Sequence, residues 1–281
     1  MLTSRLLSNR VKRSIRHQVV SLFNDGRKKE TPVSRSSNAL LDEGSVAWRV
    51  HGDVTSMMVG GISSLLMQML HPAVLAGVWD HSNFRTDMHG RLRRTARFIA
   101  TTTYADRQQA EAAMARVRAV HDHVTGTLPD GTAYHANDPA LLAWVHVTET
   151  SSFLDAWIRY GEPGMSLDDQ NRYFAEMAVI GGTMGADPVP TCRSHARALI
   201  EKMRPQLYVD ARTETVARLI LHGGATRLMA EMPRRLAVQA AVDLLPHWAQ
   251  VMHRLNLTPL ERLIIRAGTF GVARTVRWAF K

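Results

Sequence analysis

Four of the chain's 13 histidines stand where an imidazole could act as a ligand or a proton carrier. They are His71 before Pro72, His81 in Asp80-His81-Ser82, His121, and His146 in Trp144-Val145-His146. A lone histidine on a helix is more often hydrogen-bonded scaffold than ligand, so spacing has to discriminate. Around His121, the residues Met114, Val117 and Val124 define an apolar helix face, and Arg118 stands one turn earlier on nearly the same side. A neutral imidazole on such a face suits an axial ligand of haem iron, and the guanidinium suits a carboxylate such as a haem propionate. The alternative is a core histidine paired with Asp122 or another acid.

Arg97 and Thr101 also share a helix face, at i and i+4. An arginine beside Leu92, Ala96 and Ile99 either snorkels or meets a buried anion. Arg91, Arg93 and Arg94 read as surface charge. His146, Glu149 and Thr150 lie on one face, but His-x-x-Glu reverses the Glu-x-x-His order of di-iron bundles. His71, His81, His146 and Glu149 therefore form the alternative set, for non-haem iron. There is no Gly-x-Gly-x-x-Gly, Walker loop or Gly-x-Ser-x-Gly elbow. Aromatic residues are only 6% of the chain, and the basic runs lack interleaved rings, so no nucleic-acid partner is expected.

The elements that must carry these residues are helices. Apolar positions recur at helical spacing and period-two strands are missing. Asp138-Pro139, Ser166 with Asp169, and Thr258-Pro259-Leu260-Glu261 are helix start signals. The expected helices cover 3–23, 54–70, 91–104, 107–125, 139–160, 167–185, 192–203, 213–222, 234–254 and 259–279. Loops are expected at 24–43, 127–137, 161–164, 185–190 and 223–233. This reads as an all-α chain, with a basic amphipathic arm and linker over 1–43 and one helical domain over 44–281.

Charge and composition set the partners. With 35 basic against 25 acidic residues the formal charge is +10, concentrated before Arg35, at 91–94 and after Arg262. In the arm, Leu7, Val11, Ile15, Val19 and Leu22 form a stripe beside arginines, which suits either an anionic bilayer or packing on the chain itself. From Val54 to Trp79 no residue is charged, long enough to span a membrane. Gly60-Gly61, Gln68 and His71-Pro72 favour a buried helix there, stopped or kinked at the proline. Cys192 is the single cysteine, and the start lacks an uninterrupted apolar stretch of the secretory type. A cytoplasmic location, peripheral on the inner membrane face, is the expectation; the oligomeric state is not legible.

Several motifs recur in a fixed order: Trp48-Arg49-Val50-His51, Leu70-His71-Pro72, Asp80-His81-Ser82-x-Phe84-Arg85, Arg91-Leu92-x-Arg94-Thr95, Arg116 to His121, Asn137 to Leu142, and Trp144-Val145-His146. Together they resemble the MpaB-type oxygenase family, which shares its catalytic domain with the latex-clearing rubber oxygenases. The resemblance implies a globin-reminiscent helical domain holding one haem b. It implies His121 as the proximal iron ligand, with Arg118 and Arg97 toward the propionates and Thr101 near the haem. It also implies an apolar, alkenyl or isoprenoid small-molecule substrate and dioxygen, with His81 and Thr101 as distal candidates. Two positions depart from the rubber oxygenases: Ala100 stands where they can carry a lysine, and Thr125 where they carry an arginine. The remaining functional alternative is a haem carrier or sensor without turnover.

Overall fold

A computed structural model describes residues 2–24, 30–222 and 231–281. Among them are thirteen α-helices and one two-stranded antiparallel sheet. The helices are α1 (Leu2–Phe23), α2 (Val46–His51), α3 (Val54–Gln68), α4 (Pro72–His81), α5 (Met88–Tyr104), α6 (Arg107–His121), α7 (Pro139–Tyr160), α8 (Leu167–Met184), α9 (Arg193–Met203), α10 (Ala211–His222), α11 (Glu231–Leu244), α12 (His247–Met252) and α13 (Pro259–Phe280). Strands β1 (Thr125–Thr127) and β2 (Ala133–His135) lie between α6 and α7. The all-α expectation holds.

The core is built on α3 and α7, which pack along their lengths. They approach closely at Gly60: a Cβ there would sit 2.8 Å from both Phe153 Cδ1 and the Ser152 carbonyl oxygen. Leu66, Leu70, Trp144, Val147 and Leu154 surround this crossing and are almost fully buried. Each large apolar side chain removed from water contributes about 1.5–3 kcal/mol. The uncharged segment is not one helix. Gln68 to His71 break it, Pro72 takes the first helical position of α4, and the two axes meet at 103°. No single helix among the described residues is long and apolar enough to cross a membrane.

Capping explains which boundaries follow the expected ones. Asp138 accepts from the backbone N–H groups of Ala140 and Leu141, Ser166 from Asp169, and Thr258 with Glu261 forms a reciprocal capping box. The expected helix over 234–254 is instead two, because Pro246 cannot continue the ladder. Most of the loop expected at 223–233, and Arg27-Lys28-Lys29, lie outside the described residues.

Asp243 ties the C-terminal half together. Its buried carboxylate is 3.0 Å from Arg159 Nη1, 2.9 Å from Arg262 Nη1 and 2.7 Å from Arg266 Nε, joining α7, α11 and α13. The arm is docked: α1 packs on α13 and on α5, with the Lys12 ammonium 5.0 Å above the Trp278 ring and the Arg16 guanidinium over Phe280.

Candidate functional site

α5 and α6 form an antiparallel pair that packs chiefly on itself. The pair carries Arg91, Arg97, Thr101, Arg118 and His121. His121 is the last residue of α6, and its half-buried ring has its Nδ1 shielded from solvent without a hydrogen-bond partner. The Asn137 side chain lies beside it, and Asn137 Oδ1 is likewise buried and unpartnered. Asn137 Nδ2 is committed elsewhere, donating to the Arg118 carbonyl at 3.0 Å and to Asp122 Oδ1 at 2.7 Å. The amide is therefore held with its oxygen available to an imidazole N–H. Burial lowers the His121 pKa, nearby Arg91 and His135 lower it further, and Asn137 and Asp122 pull the other way. At neutral pH the ring is uncharged, as a metal ligand must be.

Arg91, expected at the surface, is drawn inward. It donates from Nη1 to Ser82 Oγ at 2.9 Å and lines a narrow crevice with Leu65, Met69, Phe84 and Met88. Burial lowers its pKa, so the cation sits in a poor environment with no carboxylate bonded to it among the described residues. The two arginines named for propionates stand differently. Arg97 Nη1 donates to the Thr31 carbonyl at 3.0 Å, and exposed Arg118 donates to the Thr183 carbonyl at 3.1 Å. Thr101 is half-buried on α5. His81 is exposed at the end of α4, with Nε2 2.9 Å from the Thr125 carbonyl oxygen, four residues beyond His121.

The alternative iron set does not converge. His71 and His81 stand at opposite ends of α4, about 15 Å apart along its axis. His146 is buried and its Nε2 has no partner, but the ring is pressed against α8: a Cβ on Gly181 would lie 2.8 Å from that nitrogen. No atom could approach Nε2 from there. Among the described residues no group of three His, Cys, Asp or Glu is arranged to hold a metal ion.

Glu149 has a different environment. Burial alone pushes its carboxyl up to about 7, yet the side chain keeps some accessible surface. Its field reaches Tyr173, whose pKa is driven up by burial and then by Glu149 and Glu176. Tyr173 belongs to a network that single-sequence reading missed. His51 Nδ1 is 2.8 Å from Thr103 Oγ1 and Nε2 is 2.9 Å from the Tyr173 hydroxyl. Thr103 donates to the Ile99 carbonyl at 2.7 Å, so it accepts from His51 Nδ1–H, and His51 Nε2 accepts from Tyr173. Burial pulls the His51 pKa down to about 3, which keeps the ring neutral.

A wider cavity, about 490 Å³, opens beside Trp48, Trp157 and Arg277. It contains no histidine, and Arg277 is bound to Asp53 at 2.6 Å.

Compared with known proteins, residues 48–278 match the family model described as ER-bound oxygenase mpaB/B'/Rubber oxygenase, catalytic domain. The chain belongs to this family. The match takes in α3 to α12 whole, so His121, Arg91 and Glu149 all lie inside the oxygenase catalytic domain, whereas α1 lies outside it. No curated protein and no solved structure matches the chain. As a member of an oxygenase family it is an enzyme that acts on a substrate with dioxygen.

The residues present suit a haem. One neutral imidazole has an unpartnered buried nitrogen, an amide oxygen stands beside it, and a desolvated arginine is near.

Proposed function

We propose that the chain is a haem b-dependent oxygenase that oxidises or cleaves an apolar substrate, of alkenyl or isoprenoid type. The observation that carries this reading is His121, a neutral imidazole with an orphaned buried Nδ1 beside the equally orphaned Asn137 Oδ1, within the oxygenase catalytic domain. His121 would hold the iron, and haem when bound supplies the binding and activation of dioxygen.

The chain's own residues do the rest. Asn137 Oδ1 would accept the Nδ1–H of His121 once the ring holds the iron, which would fix the tautomer and leave Nε2 for coordination. Arg91 offers a desolvated cation to a propionate, with Arg97 and Arg118 as the partners expected from the motif. Leu65, Met69 and Phe84 keep water away from the Arg91 side chain. His81 and Thr101 are the proposed distal pair. Glu149 holds a proton on its carboxyl up to about pH 7, and its field acts on Tyr173.

The test is an absorbance spectrum of the purified protein, followed by oxygen uptake with a panel of long-chain alkenes and isoprenoids. His121→Ala should lose the haem band while far-ultraviolet circular dichroism keeps its helical signal, and His146→Ala should keep the band. Loss of the band from His146→Ala with retention in His121→Ala would move the ligand to α7 and refute the assignment. Reversible dioxygen binding without substrate-driven uptake would make the protein a carrier or sensor.

A further inference from the structure

The last helix is apolar on two opposite sides. Ile265, Thr269 and Ala273 are buried against the fold. On the far side, at helical spacing, run Leu260, Leu263, Ile264, Ala267, Phe270 and Trp278, all of them exposed. Leu260 and Leu263 are each 66% exposed and Ile264 59%. Single exposed apolar residues are ordinary, but a contiguous stripe of this length marks a surface that is covered in use.

The charge beside the stripe indicates what covers it. α1 carries Arg5, Arg10, Lys12, Arg13 and Arg16 and no acidic residue, half of the chain's formal net charge of +10. It lies against α13 at the Trp278 end, where Lys12 and Arg16 stand over Trp278 and Phe280. On α13 itself Arg262 and Arg266 are committed to Asp243, and Arg277 to Asp53. Arg10, Arg13, Arg16 and Arg274 stay exposed. The face thus combines an apolar stripe, a tryptophan at its end, and a cationic border.

We propose that the joint face of α1 and α13 docks on an anionic lipid bilayer, with the α13 stripe entering the boundary between headgroups and acyl chains. Arg10, Arg13 and Arg274 then meet anionic headgroups. A neutral apolar partner would leave that border without a counterpart, and a second copy of this chain would bring two cationic borders together. The docking is separate from the chemistry of the oxygenase site and does not depend on it.

The experiment is flotation of the full chain with phosphatidylcholine vesicles, with and without phosphatidylglycerol. The expected result is binding only when phosphatidylglycerol is present, weakening as salt rises. The double variant Leu263→Glu with Ile264→Glu should lower partitioning at least roughly tenfold, because charges on the stripe oppose entry into the apolar layer. Both positions are exposed, so circular dichroism and the melting temperature should be unchanged. Leu167→Glu, at a site 70% exposed on α8, should bind like wild type. Equal partitioning of the double variant and wild type overturns the proposal, as does failure to bind phosphatidylglycerol vesicles. Wild type that ignores vesicles and elutes as a dimer, with the double variant monomeric, assigns the face to a second copy instead.

Discussion

Glu149→Gln isolates the consequence of enclosing a lone carboxyl. The side chain stays nearly the same size, but the group can no longer ionise. In the fold the carboxyl is held at about 7, against 4.5 ordinarily, with burial as the cause. The difference corresponds to about 3 kcal/mol, at about 1.4 kcal/mol for each tenfold change. The direction follows from which state keeps the proton. Between pH 4.5 and about 7 the unfolded chain has lost it and the folded chain has not, so rising pH favours unfolding. Below that window the penalty vanishes, and above it the penalty is complete. The glutamine variant should therefore be more stable than wild type by about 1 kcal/mol at pH 5 and about 3 kcal/mol at pH 8. Urea unfolding of both proteins at the two pH values measures this, and any contact that glutamine gains or loses is the same at both and cancels. A stability difference that does not change between pH 5 and pH 8 would show that Glu149 is hydrated or paired, and would refute the burial argued for its carboxyl.

Three further outcomes are expected. Gly60→Ala forces a Cβ to within 2.8 Å of the Ser152 carbonyl oxygen and should cost about 1–3 kcal/mol in chemical denaturation, whereas Gly61→Ala, whose Cβ meets only Phe153 Cε1 at 3.7 Å, should change little. Asp243→Ala leaves three guanidiniums around a vacated buried position and should cost about 3–5 kcal/mol; Glu201→Ala, which breaks the exposed Arg204 pair, should cost under about 1 kcal/mol in the same assay. Arg91→Leu should weaken pigment retention during gel filtration more than Arg94→Leu, since Arg94 is exposed and pairs with Asp87.

What was legible in the sequence depended on how local its cause was. α7 and α13 start where Asp138-Pro139 and Thr258-Pro259 place them, because a cap and a proline act within four residues. α2 was missed since six residues hold too little periodicity. α4 was missed because Pro72 reads as a stop, although it opens the next helix. The strands are three residues each, too short for a period-two pattern, and only the loop over 127–137 showed. In the site, His121 stood out by the spacing of Arg118 and by the ordered motifs around it. The inward turn of Arg91 did not, since Ser82 and the walls of its crevice come from α3, α4, α5 and α10. The His51–Tyr173 bond joins residues 122 positions apart, and no local pattern announces it.

The contact between α1 and α13 has a consequence for how the chain is made. More than two hundred residues separate the first helix from its partner. At roughly 5–20 residues per second, synthesis takes on the order of ten to fifty seconds to cover that stretch. Throughout that interval α1 exists without α13, a basic amphipathic segment with only its smaller contact, to α5, within reach. Its helix then lacks much of its support, because amphipathic helices in proteins owe most of their stability to tertiary packing. α1 thus reaches its final place only after most of the chain has been made, and a nascent chain halted before Trp278 would lack its larger contact.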